Sequence, residues 1–290
     1  MRELLDPQSI ERIHLASDLH LGAPDARRSM LREQAFVAWL RGVVAGSLAG
    51  LEGPATEVHL VGDLFDFWFE YKRAVPRGGV RLLGTIAEVV DAGVTVHYHV
   101  GNHDMWSFGY LEHELGVQLH RKPKTFVYNG HRFCIGHGDG LGPGDAGYKR
   151  LKRIFKNPFL QWGFRWIHPD IGIQLAAAAS SNSRATNIEK DAHFEDAESE
   201  WLWQYARELQ AIDPHDYFVF GHRHMPLDLP LNTETSARYI NLGDWIHHFT
   251  ALRIDEDGAT LDQYEIEKTQ KGDFNALKRI GPWQAQMPNH

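Results

Sequence analysis

The sequence predicts an α+β protein built from two β-sheets and several amphipathic helices, with a helical insertion. Three observations support this prediction. Short apolar runs typical of strands alternate with segments of helical periodicity over the first half of the 290-residue chain, and five runs along the chain end in a polar cluster. From residue 141 to about 210 the strand signal stops and helical segments follow one another, which indicates an inserted helical subdomain.

The composition narrows the class of protein. An apolar content of 43% is ordinary for a globular chain, and a net charge of −8 with a pI near 6.1 argues against a general nucleic-acid binder. The single cysteine, Cys134, excludes an internal disulfide and a thiolate zinc cluster. No secretion signal and no apolar run of roughly 20 residues is evident. We therefore expect a cytoplasmic protein, either free or lying on a membrane surface.

The first predicted strand covers residues 12–16 and is followed by Asp18 and His20. Their spacing of two directs both side chains to the same side of an extended chain, where an acid and an imidazole can share one ion. Residues 30–45 then show apolar side chains at helical spacing, which predicts an amphipathic helix that returns the chain to the next strand.

The strand at 58–61 is the centre of the predicted site. It ends at a glycine, which permits a sharp exit, and it places Asp63 at the edge of the sheet. The aromatic stretch at 64–71 is interpreted as a wall of the cleft. Its two acids, Asp66 and Glu70, either line that cleft or cap the start of a helix.

The third strand delivers the next polar cluster. A helix at 80–91 leads into a strand at 94–100, and the cluster that contains Asn102 follows it. His97 and His99 lie inside this strand rather than beyond its end. We therefore expect these two histidines to have ordinary packing or surface roles.

A hairpin and a later strand provide the remaining clusters. After a short helix near 110–115, the pair Asn129-Gly130 joins two strand-like runs, which is a strong hairpin signal. The second run ends at the cluster that contains His137, and the strand at 217–220 ends at a cluster of two histidines. Further strands, expected to complete a second sheet, are predicted at 239–245, 250–254 and 260–264.

The pattern divides the chain into a core at 1–140 and 211–268, the insertion at 141–210, and a polar tail at 269–290 to which we assign no role. The insertion is rich in aromatic and basic side chains. It forms either a self-contained pair of helices that buries its own aromatics, or a basic, aromatic lid over an apolar ligand or a membrane surface. Composition alone favours the first, since amphipathic stripes usually form core.

The polar clusters supply oxygen and imidazole ligands without sulfur. This donor set suits Mn, Fe, Zn or Mg and does not suit copper or a structural zinc site. The candidates exceed what one ion needs and fill two sites if Asp63 is shared, at an ion separation of about 3.5 to 4 Å. His103 can donate a proton to a leaving oxygen, with Asp104 holding its tautomer. The candidate ligands are Asp18, His20, Asp63, Asn102, His137, His222 and His224.

The order of these clusters resembles that of the calcineurin-like metallophosphoesterases, over the chain from Ile13 to about Ile254. The clusters read Asp-x-His, Gly-Asp, Gly-Asn-His-Asp, Gly-His-Gly-Asp and Gly-His-Arg-His. The resemblance implies a four-layer αββα sandwich. It also implies that one ion is held by Asp18, His20, Asp63 and His224, and the other by Asp63, Asn102, His137 and His222.

Within that superfamily the chain is similar to the UDP-2,3-diacylglucosamine diphosphatases of lipid A synthesis. The signs are the runs at 18–21 and 62–68, Asp145 followed by Tyr148, and the spacing of three polar residues in the insertion. One position departs, because His103 stands where the best-known branch of the family has arginine. The resemblance implies a substrate site formed by Asn102, His103, Asp145, Tyr148, Ser183, Asn187, Lys190 and His222.

The resemblance also implies a function. It predicts a pyrophosphatase with two divalent ions, expected to be Mn²⁺, that cleaves UDP-2,3-diacylglucosamine into UMP and 2,3-diacylglucosamine 1-phosphate. The enzyme is expected as a peripheral protein on the cytoplasmic face of a Gram-negative inner membrane, with the insertion as a cap over the acyl chains. No nucleic acid and no obligate protein partner is expected. Two alternatives remain: a soluble phosphoesterase acting on a nucleotide or phosphoprotein, and a non-catalytic scaffold, against which the intact ligand set argues.

Overall fold

Two β-sheets face each other across an apolar interface. The structure, a computed structural model, describes residues 11–143, 146–176, 194, 196–232 and 235–284. The strands of the larger sheet are β1 (Ile13–Ala16), β2 (Glu57–Val61), β3 (Thr95–His99), β4 (Gln118–His120), β10 (Thr250–Asp255), β11 (Gly258–Lys268) and β12 (Phe274–Pro282). Those of the smaller sheet are β5 (Lys124–Tyr128), β6 (His131–Gly136), β7 (Tyr217–Phe220), β8 (Pro226–Pro230) and β9 (Arg238–Leu242).

Both sheets are mixed. The larger sheet has the order β12-β11-β10-β1-β2-β3-β4. Strands β1 to β4 are parallel to one another, and β10, β11 and β12 each pair antiparallel with the preceding strand of the sheet, starting from β1. The smaller sheet has the order β5-β6-β7-β9-β8, with a parallel centre formed by β6, β7 and β9. Parallel neighbours end at the same edge of a sheet, so each sheet presents several strand ends together.

Helices cover the outer faces of the sheets. In the described part of the chain the helices are α1 (Ala26–Ala45), α2 (Val80–Asp91), α3 (Tyr110–Leu115), α4 (Ala146–Phe155), α5 (Pro158–Arg165), α6 over residues 169–176, and α7 (Trp201–Ile212). Helix α1 begins where the Asp25 side chain accepts the Arg28 N–H at 2.9 Å, and it ends at Gly46 in the left-handed conformation.

Three apolar cores define four layers. Alternate residues of each strand point to opposite faces, so one face of the larger sheet packs against α1 and α2, where Trp39 and Ile86 meet Leu60. The opposite face, with Leu15 and Val61, packs against the smaller sheet. The outer face of the smaller sheet packs against α7. The predicted αββα sandwich is therefore confirmed.

The register of the parallel strands brings the strand ends together. Val61 at the end of β2 pairs with His99 at the end of β3, and Gly136 at the end of β6 pairs with Phe220 at the end of β7. Beyond β1, the Asp18 N–H donates to the Gly62 carbonyl at 3.1 Å. The loops that carry the polar clusters therefore start from aligned positions.

The sheet assignment of two strands was predicted wrongly. Strand β9 belongs to the smaller sheet, as expected, but β10 and β11 extend the larger sheet, because β10 pairs antiparallel with β1. An antiparallel hairpin can add to the edge of either sheet, and its own sequence does not specify which one.

Strands β4, β8 and β12 were not predicted. Strand β12 falls in the segment expected to be a polar tail without a role, yet it pairs with β11 along the edge of the larger sheet. Its side chains are half-buried or exposed in alternation, with Lys278 opposite Glu265. An edge strand with so little apolar surface resembles a polar loop in sequence.

Helix α7 lies mostly within the segment predicted as the insertion, which ends at residue 210, but it forms part of the core. Leu202 and Trp203 pack with Phe218 and Phe220 of the smaller sheet. The boundaries of the insertion stay a prediction. None of the helices in the described ranges combines the length and the apolar character that crossing a membrane requires.

Candidate metal centre

The loops after five strands meet at one edge of the sandwich. They follow β1, β2 and β3 of the larger sheet and β6 and β7 of the smaller one. Together they carry all the candidate ligands that the sequence predicts, namely Asp18, His20, Asp63, Asn102, His137, His222 and His224.

The first group of donor atoms surrounds Asp18. One ligand atom each from Asp18, His20 and His224 lies within 4.8 Å of the other two. His224 Nε2 is 3.3 Å and His20 Nε2 is 3.7 Å from Asp18 Oδ1. Two imidazoles and a carboxylate at this separation can hold one divalent ion.

The second group surrounds Asp63. Its ligand atoms and those of His137 and His222 also lie within 4.8 Å of one another. His137 Nε2 is 3.2 Å from Asp63 Oδ2 and 3.1 Å from Asn102 Oδ1. The same Asp63 oxygen is 3.8 Å from His20 Nε2 of the first group. Asp63 therefore faces both groups, as a bridging carboxylate must.

The backbone at the candidate ligands adopts an uncommon conformation. Seven non-glycine residues in the described part of the chain have a positive φ, and five of them are candidate ligands: Asp18, His20, Asp63, His222 and His224. This conformation costs on the order of 1–3 kcal/mol per residue, and it concentrates at functional sites. The fold therefore holds these side chains in place against a local preference.

Small residues beside the ligands leave the space that the site needs. A Cβ added to Gly221 would lie 2.5 Å from Asp18 Oδ2, and one added to Gly62 would lie 2.5 Å from His137 Nδ1. Glycine at these two positions lets the strand ends approach the ligands closely.

The charges of the two acids are set by their histidine neighbours. Burial by itself raises the pKa of Asp63, but His137, His103 and His20 outweigh it and hold that pKa well below its usual range. Burial likewise opposes ionisation of Asp18, while His224 and His20 hold its pKa well below normal. Both carboxylates are therefore ionised, which is the form that binds metal.

The donor set fits divalent cations. It consists of oxygen and imidazole nitrogen, and Asp18 Oδ1 is fully buried without a hydrogen-bond donor. A buried carboxylate oxygen without a partner is costly unless a cation contacts it. Burial lowers the pKa of His222 to about 4, so its imidazole is neutral and able to ligate.

Two further acids support the imidazoles and were not predicted as site residues. Asp244 is fully buried, with Oδ2 3.7 Å from His224 Nδ1, and its other oxygen accepts the N–H groups of the following turn. Asp66 Oδ1 is 3.7 Å from His20 Nδ1. Both distances are slightly longer than a hydrogen bond, and a small shift of each side chain would form the carboxylate–histidine contact that orients ligand histidines in metal sites. The sequence does contain a signal for Asp244: like Asp63, this residue follows a glycine at the end of a strand.

His103 lies between the two groups. Its backbone N–H donates to Asp63 Oδ1 at 2.8 Å, and its Nδ1 is 2.7 Å from the Asp66 carbonyl oxygen. A carbonyl only accepts, so Nδ1 carries a proton and Nε2, 4.0 Å from Asp63 Oδ2, faces the site. Burial lowers the pKa of His103 to about 4 in the absence of substrate.

The predicted role of Asp104 is wrong, because the Asp66 carbonyl and not Asp104 holds the His103 tautomer. Asp104 accepts hydrogen bonds from the Tyr98 hydroxyl at 2.7 Å and from the Gly101 and Leu64 N–H groups at 2.6 and 3.2 Å. It therefore ties the loops after β2 and β3 together and positions Asp63 indirectly.

A buried ion pair holds the loop that carries His222 and His224. Arg223, between them, donates from Nε to Glu200 Oε2 at 2.9 Å and lies over the Trp201 ring at 4.1 Å. Glu200 also caps the start of α7. The smaller sheet, α7 and the metal loop are therefore connected through one carboxylate.

We predict that Glu200→Ala lowers the free energy of unfolding by about 3–5 kcal/mol, because it removes the carboxylate that accepts from the buried Arg223 guanidinium at 2.9 Å. Urea denaturation measures the change. Glu208→Ala, which removes an exposed acid from the same helix, is the control and is expected to have little effect. Equal stability of the two variants would contradict the assigned role of the pair.

Several predicted substrate residues lie outside the described residues. These are Asp145, Ser183, Asn187 and Lys190, together with the side chain of Tyr148, whose backbone belongs to α4. Asn102 and His103 lie at the centre described above.

The aromatic residues of the predicted insertion are largely exposed. The exposed fractions are 84% for Phe159, 63% for Trp162 and 76% for Trp166. Phe164, by contrast, packs 4.7 Å from Phe69 of the aromatic wall. The self-contained helix pair favoured by composition does not describe these side chains, and the exposed patch is of the kind that marks an interaction surface.

Comparison with known proteins identifies relatives along nearly the whole chain. A UDP-2,3-diacylglucosamine hydrolase from Porphyromonas gingivalis is 34% identical over 266 residues, which cover 88% of this chain and 98% of the relative. One from Pseudomonas fluorescens is 27% identical over 261 residues, which cover 89% and 97% of the two chains. No family model matches.

Solved structures are more distant. Zinc-complexed Vps29 from Entamoeba histolytica aligns over 93% of this chain and 98% of its own, with a TM-score of 0.41 and 11% identity. A similarity this weak carries no functional conclusion.

Proposed function

This chain belongs to the family of UDP-2,3-diacylglucosamine hydrolases and is a metal-dependent hydrolase, and from that premise we propose that it cleaves the pyrophosphate of UDP-2,3-diacylglucosamine. The products are UMP and 2,3-diacylglucosamine 1-phosphate. The reaction class rests on one observation: two groups of donor atoms face the same oxygen, Asp63 Oδ2. The names of the relatives supply the substrate.

We propose that two divalent ions, Mn²⁺ in the cell, bind these groups. Asp18, His20 and His224 would hold one ion, His137, His222 and Asn102 would hold the other, and Asp63 would contribute to both. When bound, two such ions neutralise phosphoryl oxygens and lower the pKa of the attacking water. Asp244 and Asp66 lie 3.7 Å from the Nδ1 atoms of His224 and His20, and would orient these imidazoles by accepting a hydrogen bond from each once the ions are bound.

His103 serves the departing phosphate in this proposal. Its Nδ1–H is fixed on the Asp66 carbonyl, which directs Nε2 at the space between the groups. The diphosphate of a bound substrate carries negative charge, which raises the pKa of a nearby imidazole from its low value in the free protein. His103 then donates a proton or a hydrogen bond from Nε2 to the leaving oxygen.

A basic pocket beside the centre suits the nucleotide end of the substrate. Arg121, Lys122, Lys152 and Lys156 line it together with one acid, Asp139, which pairs with Lys152, and His137 of the metal centre also lines it. Burial, together with the charges of Lys152 and the other basic residues, lowers the pKa of Lys156. Such a concentration of positive charge attracts the phosphates of a sugar nucleotide.

The exposed aromatics of the insertion suit the lipid end. We propose that α5 and its neighbours form a cap that lies on the cytoplasmic face of the inner membrane and receives the acyl chains. Burial of hydrocarbon contributes about 0.8 kcal/mol per CH₂, and basic side chains on the same segment favour an anionic lipid surface. Asp145, Tyr148, Ser183, Asn187 and Lys190 are proposed to contact the sugar and phosphate oxygens.

We predict that the double variant Trp162→Ser/Trp166→Ser binds anionic phospholipid vesicles at least about tenfold more weakly, because each lost indole removes roughly 2 kcal/mol of apolar burial. Vesicle co-sedimentation measures the change, and hydrolysis of a small artificial phosphodiester is expected to stay unchanged. Ile212→Ser is the control, since Ile212 is 82% exposed but lies at the end of α7, outside the cap. Vesicle binding lost equally in both variants would contradict the cap as the membrane surface.

Metal removal tests the proposed function. Chelator-treated protein is expected to release no UMP from UDP-2,3-diacylglucosamine, and added Mn²⁺ is expected to restore the release. Activity that persists in the metal-free protein would contradict a metal-dependent pyrophosphatase.

A further inference from the structure

A second cluster of ionisable side chains lies inside the sandwich, on the strands themselves and not in the loops that follow them. On β1 the positions that face the smaller sheet are apolar, as Ile13 and Leu15 show. The matching positions on the next three strands carry a carboxylate and four imidazoles, and a tyrosine of β5 closes the group. Its members are Glu57, His59, His97, His99, His120 and Tyr128.

Donor atoms of four of these residues converge on one point. His97 Nε2 is 3.0 Å and the Tyr128 hydroxyl is 2.8 Å from Glu57 Oε2. His59 Nε2 is 2.8 Å from the same hydroxyl. One ligand atom each from Glu57, His59 and His97 lies within 4.8 Å of the other two.

We propose that Glu57, His59 and His97 bind a Zn²⁺ ion, with the Tyr128 hydroxyl in the fourth position. Two imidazoles and one carboxylate form an established zinc donor set, and zinc prefers four ligands at about 2.0–2.2 Å. The ion takes the place of the Nε2 protons of His59 and His97, which pass to Nδ1 of the same rings. Tyr128 keeps its proton, because burial and the Glu57 carboxylate raise its pKa, so its hydroxyl contacts the ion as a neutral oxygen. Because a protein side chain fills the fourth position, no coordination position is left for water or substrate. The site therefore has a structural and not a catalytic role.

The outer imidazoles complete the site. His59 Nδ1 is 3.0 Å from His99 Nε2, and His97 Nδ1 is 2.9 Å from His120 Nε2. Once their Nε2 atoms ligate the ion, His59 and His97 carry the proton on Nδ1 and donate it to these neighbours. Ligand histidines in metal sites show this arrangement, which fixes their tautomer and ring orientation.

The protonation states and the access path also suit a metal. Burial lowers the pKa of His59 and of His99 well below the usual range, so both imidazoles are neutral, which is the ligating form. Glu57 keeps 30% of its side chain exposed and His120 is half-buried, so the cluster borders solvent at both residues. An ion can therefore enter without unfolding of the sandwich.

His97 and His99 were expected to be ordinary packing residues. Their burial agrees with that expectation, and the proposed site adds a ligand role for His97. The three proposed zinc ligands are separate from the catalytic ligands, because they lie within the strands and the catalytic ligands lie in the loops beyond them. The two sites are neighbours, since His99 and His120 line the same pocket as His137.

Counting bound zinc tests this site. The wild-type protein, saturated with Zn²⁺ and dialysed, is expected to keep three ions per chain by mass spectrometry of the metal. Glu57→Gln keeps the shape of the side chain but removes its charge, and His97→Gln removes one imidazole. Each is expected to keep two ions and to bind the third at least about 100-fold more weakly. His14→Gln removes a buried histidine from the opposite face of the larger sheet and is expected to keep three.

The proposal would be overturned if the wild type kept only two zinc ions per chain, or if both site variants kept three. Either result would show that the cluster is a hydrogen-bonded network that binds no metal. Should His97→Gln fail to fold by circular dichroism, Tyr128→Phe with Glu57→Gln gives the same comparison. Hydrolysis at the catalytic centre is expected to persist in Glu57→Gln, so loss of this zinc is distinguishable from loss of the proposed enzymatic function.

Discussion

Asp63→Ala is expected to abolish hydrolysis and to lower the metal bound at both catalytic positions. Asp63 Oδ2 lies 3.2 Å from His137 Nε2 and 3.8 Å from His20 Nε2, so one carboxylate serves both groups. Its negative charge offsets the repulsion between two divalent ions, and the loss of that charge weakens both. The measurements are turnover of the lipid nucleotide and metal content of the purified variant.

Two further variants sharpen this prediction. Asp63→Asn keeps the volume of the side chain and removes its charge, so it separates the electrostatic role from packing. Asp91→Ala removes an exposed acid at the end of α2 and is expected to behave as the wild type. An Asp63→Ala variant with near-normal turnover and two catalytic ions per chain would show that Asp63 is not the bridge.

His103→Ala is expected to lower kcat by about 10² to 10⁴-fold with the catalytic metal content unchanged, because His103 acts on the departing phosphate. The His103 backbone N–H and not its imidazole contacts Asp63 at hydrogen-bond distance. Removal of the imidazole therefore leaves Asp63 held. Steady-state kinetics and metal analysis of the same preparation measure the two effects.

His103→Arg distinguishes proton transfer from charge recognition. Arginine keeps a positive hydrogen-bond donor but does not release a proton at neutral pH. If His103 transfers a proton, kcat of His103→Arg falls as far as that of His103→Ala. If it binds phosphate as a cation, arginine restores most of the activity. Loss of metal in His103→Ala would instead place the imidazole among the ligands.

The candidate ligands could be predicted because their signal is local. Asp63 follows an apolar run and a glycine, and the same pattern recurs before His137 and His222. Parallel register then brings these loops to one edge without further information from the sequence. Asp244 shows the same pattern and was missed, since Gly243-Asp244 was taken as part of a strand that in fact ends at Leu242.

Other features depend on long-range contacts that local patterns do not specify. The hydrogen-bond partner of an imidazole is one of these features. Asp104 is adjacent to His103 in the chain, yet His103 Nδ1 donates to the Asp66 carbonyl, and Asp104 accepts from the Tyr98 hydroxyl. The place of β10 beside β1 is another, because it is decided by packing between distant segments. The convergence of His59, His97 and Glu57 also requires β2 and β3 to be adjacent.

The most direct test of the central claim compares kcat/KM for UDP-2,3-diacylglucosamine, UDP-N-acetylglucosamine and a small artificial phosphodiester, with product identification by mass spectrometry. The proposed cap and metal centre together predict that the diacylated nucleotide is strongly preferred and yields only UMP and 2,3-diacylglucosamine 1-phosphate. Equal use of the three substrates, or no release of UMP from the diacylated one, would contradict that function and favour a soluble phosphoesterase of another specificity.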